Sequence, residues 1–212
     1  MPRMLAKIVT YLLLGLVRLL TGAQARWHGC PPSCEQRIYF ANHQSHVDLV
    51  MIWAALPADL RTVTRPIAAR DYWTKGRFKI WLTTRVFNAV YVDRARTKDA
   101  VTGVEQDPLE PLVAVLNSGD SLIIFPEGTR GHAAEPQAFK SGLYHLARQF
   151  PEVVLIPTWI NNVQRVMPKG EVIPVPVLCS VTFGAPLKLA ADEDRHAFSA
   201  RARDAMIALR DI

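Results

Sequence analysis

Along most of the chain, short apolar runs bounded by turn residues alternate with stretches in which apolar side chains recur every three or four positions. The runs Arg37–Ala41, Ala89–Asp93, Ser121–Phe125, Val153–Ile160 and Leu178–Phe183 are rich in Val, Ile and aromatic residues and predict five strands. Several are apolar on both faces, as buried strands are. Leu109, Leu112, Val113 and Leu116 have helical spacing and predict a helix from Leu109 to Asn117, with Gly119 placed where it would end. Further helices are predicted for His46–Leu56 and, closing the chain, for Asp192–Leu209. This alternation predicts an α/β fold, a single domain with a mostly parallel or mixed central sheet flanked by helices. No internal repeat is visible.

Before the break Cys30-Pro31-Pro32-Ser33 the pattern differs. Residues Ile8–Val17 form an apolar run between Lys7 and Arg18. As a helix that run is roughly 16 Å long against about 30 Å of hydrocarbon, too short to span a bilayer comfortably. On a helical wheel Arg3, Lys7, Thr10, Arg18 and Thr21 fall within an arc of about 80°, leaving a broad apolar face of Ile8, Leu12, Leu13, Leu16, Leu19 and Leu20. Such a profile predicts an amphipathic helix lying in a membrane interface. A signal peptide would also explain the basic residues before the run and the small-x-small triplet Ala23-Gln24-Ala25, although Arg18 between them counts against it. The plain alternative, a helix packed on the domain, needs a narrower apolar face. The chain is accordingly divided into an amphipathic membrane-interface helix over residues 1–25 and a folded domain over residues 26–212.

Composition narrows the class. The 212 residues are 50% hydrophobic and 21% charged, with 11 Gly and 15 Pro, which excludes a disordered chain, a collagen-like repeat and a polytopic membrane protein. That length suits one full-sized domain with a short appendage. The net charge is +6, yet the stretch Arg61–Lys98 holds ten basic residues against Asp71 and Asp93 and is +8 by itself. A local field of that size suits nucleic acid, an anionic bilayer, or phosphorylated substrates and acidic carrier proteins. Within it, Asp71–Trp81 interleaves Tyr72, Trp73, Phe78 and Trp81 with Lys75, Arg77 and Lys79. The arrangement suits a bilayer interface as well as it suits a solvated face with a few core aromatics. Cys30, Cys34 and Cys179 are too few for a disulfide framework or a structural zinc site and read as reduced thiols.

Two constellations carry chemistry. The first, Asn42-His43-Gln44-Ser45-His46-Val47-Asp48, follows the strand ending at Ala41. Ser45 is placed to be an N-cap, with Asp48 three residues on in capping-box position. In a continuous helix His43 and Asp48 would lie about 140° apart, whereas on a strand-to-helix turn the His43 ring can fold back onto Asp48. A carboxylate bonded to one imidazole nitrogen fixes the tautomer and leaves the other nitrogen to take a proton near neutral pH. The plain alternative is local hydrogen bonding at a helix start. No serine or cysteine nucleophile stands beside the pair, so the nucleophile can be the substrate's own hydroxyl. The second constellation, Ile124–Gly131, is a strand ending in a Pro-Glu-Gly turn that presents an acid, a hydroxyl and a guanidinium. Loops at the carboxyl ends of strands are where α/β sheets bind ligands. Gly128 admits close backbone approach, and Arg130 can grip a phosphate in bidentate fashion. Phe139-Lys140-Ser141-Gly142 adds a cation near a helix start, and Val92-Asp93-Arg94 delivers an arginine at a strand end.

Taken together, these blocks resemble the glycerolipid (lysophospholipid) acyltransferases related to 1-acyl-glycerol-3-phosphate acyltransferase. His43 to Asp48, with Asn42 before them, match the family's His-x4-Asp signature, and Phe125 to Arg130 reproduce Phe-Pro-Glu-Gly-Thr-Arg in full. Val92-Asp93-Arg94, Phe139 to Gly142 and Ile156-Pro157 match the remaining blocks in order, so the resemblance covers Tyr39 to Ile160. Asn88 stands where the family commonly has glycine, and Thr158-Trp159 where small apolar residues are commoner; both are expected near the acceptor. The resemblance implies transfer of a fatty acyl group from acyl-CoA or acyl carrier protein to the free hydroxyl of lysophosphatidate, giving phosphatidate, or to another lysolipid. It implies His43 as general base, Asp48 as its orienting carboxylate, and Arg94, Glu127, Gly128, Thr129, Arg130 and Lys140 around the acceptor's glycerol phosphate. It further implies no metal or cofactor, an anionic membrane surface as partner, no nucleic acid, and a peripheral or monotopic place on the cytoplasmic face of the inner (cytoplasmic) membrane. Two readings outside the family are weaker. A metal-dependent hydrolase could use His43, His46 and Asp48, with only His132, His145 and His196 downstream as further ligands. A non-catalytic membrane or nucleic-acid adaptor would explain the basic stretch but not Phe125 to Arg130.

Overall fold

The computed structural model describes residues 2–22, 24–45, 47–93, 107–131, 135–161 and 178–212, with the side chains of residues 2 and 3 excepted. His46, Arg94 and His132 lie outside the described residues. In chain order the elements are α1 (Pro2–Thr21), β1 (Gln24–Trp27), β2 (Arg37–Ala41), α2 (Asp48–Ala55), α3 (Ala58–Val63), β3 (Thr64–Ala69), α4 (Arg70–Trp73), α5 (Arg77–Arg85) and β4 (Val90–Val92). They continue with α6 (Glu110–Asn117), β5 (Ser121–Ile124), α7 (Gly142–Gln149), β6 (Val154–Asn161), β7 (Ser180–Phe183) and α8 (Arg195–Ile207).

The described strands form one sheet in the order β1-β7-β6-β2-β5-β3-β4. Every neighbouring pair is parallel except β6 with β7, so β1 and β7 run against the other five. The expected mixed sheet is therefore present, and the five expected strands hold with ends moved by at most two residues. Two strands escaped the pattern. β1 is a polar edge strand, Gln24-Ala25-Arg26-Trp27, whose first three residues are exposed. β3 contains Pro66, which cannot donate to a ladder and so argues against a strand. The structure accommodates it at a changeover: β3 pairs with β5 over Thr64–Pro66 and with β4 over Ile67–Ala69.

Side chains alternate across the sheet as the period of two requires. Tyr39 and Ala41 of β2, with Ile123 of β5, face α2, which covers them with Met51, Ile52, Ala55 and Leu56. Ile38, Phe40, Leu122 and Ile124 face the opposite layer of α6, α7 and α8, including Leu116, Leu146 and Phe198. α1 lies on the outer side of α2, where Leu14 is buried beside Leu49, Trp53 and Phe87, with Leu13 and Val17 packed against them.

The α1 helix divides its apolar surface in two. Leu13, Leu14 and Val17 pack inward, while Met4, Leu5, Ile8, Leu12, Leu16 and Leu19 are between 48% and 81% exposed. Thr21, expected on a polar arc, is instead buried, its hydroxyl donating to the Val17 carbonyl at 2.6 Å. At 20 residues the helix is twice as long as its uninterrupted apolar run, and Met4–Thr21 has the length and composition to cross a membrane. The expectation that the segment is too short therefore applies to the run and not to the helix.

Candidate active site

Strand order locates the site. β2 and β5 are neighbours, but the chain leaves β2 toward β3 through α2 and leaves β5 toward β6 through α7, on opposite faces of the sheet. Where adjacent connections part in this way a crevice opens beyond the carboxyl ends of the strands. The Asn42–Val47 segment follows β2 and the Phe125–Gly131 segment follows β5, so both signature blocks border that crevice.

The segment after β2 is anchored before it reaches His43. Asn42 is 1% exposed, and its side-chain amide donates to the Ile160 carbonyl at 3.1 Å while accepting the Ile160 N–H at 2.8 Å, tying the turn to the end of β6. The His43 ring then folds back onto α2, with Nδ1 2.8 Å from Asp48 Oδ2. Asp48 is 1% exposed, and the same Oδ2 accepts the Gln44 and Ser45 N–H groups at 2.6 and 2.8 Å. An ionised carboxylate only accepts, so it selects the tautomer with the proton on Nδ1 and the lone pair on Nε2. The ring stacks on Phe125, centroids 4.3 Å apart and planes 19° from parallel, and its side chain is 21% exposed. The arrangement is a buried carboxylate, an oriented imidazole and an outward-facing basic nitrogen.

The N-cap expectation needs correction. Ser45 does not cap α2; among the described residues its Oγ accepts the Val47 N–H, at 3.4 Å, and the residue at the cap position is Val47. Asp48 reaches back to the Ser45 N–H, the second half of a capping box, because its other work is to hold His43.

The Pro-Glu-Gly turn closes with the Gly128 N–H donating to the Phe125 carbonyl at 3.0 Å, proline and glycine occupying the turn positions that favour each. Gly128 has φ +71°, in the left-handed region, and a Cβ there would lie 2.7 Å from Lys140 Nζ. The lysine side chain thus runs across the glycine, and the Lys140 main-chain N–H donates to the Pro126 carbonyl at 2.9 Å. Thr129 and Lys140 are exposed and Arg130 is half-buried, so hydroxyl, ammonium and guanidinium gather around one turn. Glu127 differs from its neighbours. It is 2% exposed, Oε1 accepts the His43 N–H at 2.8 Å, and Oε2 accepts the Gln137 N–H at 2.8 Å.

The described residues bring His43, Asp48, Glu127, Gly128, Thr129, Arg130 and Lys140 to this one end of the sheet. Arg94 is outside them; Asp93, just before it, pairs with Arg70 at 3.1 Å. Among the described residues no three His, Cys, Asp or Glu side chains converge as metal ligands would. Of the positions expected near the acceptor, Thr158 and Trp159 lie at the site's end of the sheet, Thr158 in register with Ala41, whereas Asn88 is elsewhere. Asn88 precedes β4 at the opposite end of the sheet, where it accepts from Arg65, which also pairs with Asp120 before β5. Its φ of +51° explains the position, since asparagine is the residue after glycine that best tolerates the left-handed region. Trp159 is 4% exposed and packs into the core layer of α7 and α8. Sequence reasoning named Asn42 only as part of a signature and passed over Gln137. Asn42 could have been flagged as a polar residue between an apolar strand and the base, but Gln137 contributes only its main-chain amide and leaves no sequence signal.

Comparison with known proteins identifies the family. The family profile described as Acyltransferase matches residues 31–161. The chain is 33% identical over 146 residues to 1-acyl-sn-glycerol-3-phosphate acyltransferase alpha of Homo sapiens, covering 68% of this chain and 47% of that protein. It is 28% identical over 184 residues to 1-acyl-sn-glycerol-3-phosphate acyltransferase of Cocos nucifera, covering 80% of this chain and 54% of that protein. The chain thus spans about half the length of the curated relatives it matches. The crystal structure of the 1-acyl-sn-glycerophosphate (LPA) acyltransferase PlsC from Thermotoga maritima superposes with a TM-score of 0.69 at 19% identity, covering 96% of this chain and 79% of that one, and shows the same fold. With the family profile matching more than half of its length, the chain belongs to the acyltransferase family.

Proposed function

We propose that this acyltransferase moves a fatty acyl group from an acyl-CoA or acyl carrier protein thioester to the free hydroxyl of lysophosphatidate, giving phosphatidate. The observation that carries the reading is the 2.8 Å His43–Asp48 pair stacked on Phe125, the first residue of the Phe-Pro-Glu-Gly-Thr-Arg turn. His43 Nε2 takes the hydroxyl proton as the oxygen bonds to the thioester carbonyl carbon. The tetrahedral intermediate then expels the thiolate, which recovers the proton from the imidazolium, and Asp48 stabilises the positive ring in between. Attack is direct, with no acyl-enzyme. Arg130, Lys140 and Thr129 are grouped for the acceptor phosphate, the guanidinium suited to two phosphate oxygens at once, with Gly128 letting the backbone approach; Arg94 joins them on its signature alone. No step calls for a metal or cofactor.

The outward apolar stripe of α1 supports a place on the membrane where both amphiphilic substrates are found. Exposed Phe78 (69%) and the cations around it support contact with anionic headgroups. Since acyl-CoA and acyl carrier protein are cytoplasmic donors, the cytoplasmic face of the inner membrane is the side proposed, with the enzyme peripheral or monotopic there. α1 then serves as the interfacial helix, and the catalytic domain begins with β1 at Gln24, two residues before the expected boundary at 26.

The test is transfer from radiolabelled long-chain acyl-CoA to lysophosphatidate in detergent micelles, comparing wild type with His43→Ala. Phosphatidate formed by wild type and lost in the variant is the expected result. An inactive wild type that acylates a different lysolipid would transfer the mechanism to another acceptor, and an active His43→Ala would overturn the base.

A further inference from the structure

The Phe-Pro-Glu-Gly-Thr-Arg block invites the reading that all its polar side chains face the acceptor. For Glu127 the geometry says otherwise. Its carboxylate is 2% exposed, and each oxygen already accepts a main-chain N–H at 2.8 Å, one from His43 and one from Gln137. The turn also closes over it, since a Cβ on Gly131 would come within 3.3 Å of Oε2. Gly131 in turn donates its N–H to the His43 carbonyl at 2.9 Å. The main chain of His43 is therefore gripped on both sides by the Glu127–Gly131 turn, the N–H by the carboxylate and the carbonyl by Gly131. With Asn42 bonded twice to Ile160, the peptide units around the His43 Cα are held by the ends of β5 and β6, independently of the Asp48 contact to the ring.

We infer that Glu127 is a positioning residue for the base and not a ligand of the acceptor. Its buried carboxylate fuses three segments, those around His43, Glu127 and Gln137, into one rigid wall before substrate arrives. A carboxylate is required because both partners are donors: it offers two acceptors, whereas a carboxamide offers one and sets its own N–H against the other amide. At 2% exposure, with the Gly131 backbone closing over Oε2, the carboxylate has no open face to present to a glycerol hydroxyl. The inference rests on the proposed role of His43 and removes Glu127 from the acceptor-binding set, leaving phosphate recognition to Arg130 and Lys140.

The experiment compares Glu127→Gln with Arg130→Ala in steady-state acyl transfer, varying lysophosphatidate at saturating acyl-CoA. Displacing a base by 1 Å costs about 10²-fold, so Glu127→Gln is expected to lower kcat by about 10- to 100-fold with KM for lysophosphatidate within about twofold, while Arg130→Ala raises KM. A Glu127→Gln variant with unchanged kcat and a raised KM would make Glu127 a ligand and overturn the inference. Hydrogen exchange on the wild-type protein reads the same question without a variant. The His43 and Gln137 amides are expected to stay protected when lysophosphatidate saturates the enzyme, and their loss of protection would show the carboxylate leaving them for substrate. If wild type fails to acylate lysophosphatidate but acylates another lysolipid, the acceptor reading fails, and the same comparison of kcat and KM for that lysolipid decides the inference: a raised KM at unchanged kcat in Glu127→Gln overturns it, a lowered kcat at unchanged KM sustains it.

Discussion

Replacing Asp48 by Asn separates the charge of the carboxylate from its shape. Asp48 Oδ2 accepts from three donors, the His43 ring and the Gln44 and Ser45 amides, while Oδ1 is buried with no hydrogen-bond partner among the described residues. A carboxamide with its oxygen at the Oδ2 position keeps all three bonds and the same imidazole tautomer, and its NH2 falls where no bond existed. The loss in the resting enzyme is then the conversion of charge-assisted to neutral bonds, about 1 kcal/mol each. The loss during reaction is larger. Attack on the thioester turns neutral imidazole into imidazolium, and only a charged partner attracts it. With ring charge and carboxylate about 4 Å apart and an effective dielectric of about 20, that attraction is about 4 kcal/mol, equivalent to about 10³-fold in rate. Asp48→Asn is therefore expected to lower kcat about 10³-fold with KM for lysophosphatidate within about twofold, measured by the radiolabelled transfer assay. A folded Asp48→Asn protein with kcat within about tenfold of wild type would refute the reasoning, because no imidazolium would then depend on this charge.

The remaining predictions concern the helices. Leu14, 5% exposed under α1, is expected to cost about 3 kcal/mol when changed to Ala, read as a lower denaturation midpoint. By contrast Leu12→Glu/Leu16→Glu, at positions 68% and 51% exposed, is expected to leave the midpoint unchanged and abolish sedimentation with anionic vesicles; undiminished sedimentation would remove α1 from the membrane contact. At the start of α8, the Arg201 guanidinium holds the Glu193 carboxyl below the ordinary carboxylate range, and the Ala197 and His196 amides do the same for Asp194. Depressed carboxyl groups stabilise the fold above their unfolded values and cease to do so as pH falls through their folded ones. Stability is thus expected to drop below about pH 4, and less steeply in Glu193→Gln/Asp194→Asn; identical pH slopes in denaturant titrations would contradict the assignment.

What the sequence alone determined is what short-range pattern can encode. Continuous apolar runs place β2 and β5, three-and-four spacing places α6, and Gly119, with φ +85°, ends a helix as expected. The two chemical blocks are equally legible, since a strand end followed by a turn delivers side chains at fixed offsets, and the contact between His43 and Asp48 needs only a turn that lets the ring fold back. Tertiary structure decided whatever depends on a distant partner. β1 and β3 exist because neighbouring strands supply the bonds that their own polar or proline-bearing sequences do not advertise. Asn88 serves a turn far from the site, and Trp159 fills a core layer, because strand order and side-chain alternation set which end and face each occupies. Glu127 shows the difference most clearly. Its place in the signature marks it as important, but whether its carboxylate meets substrate or backbone was settled by the approach of the His43 and Gln137 amides. A buried carboxylate bonds to the donors that the packed chain brings to it, and two main-chain N–H groups from separate segments arrive only when the sheet is assembled.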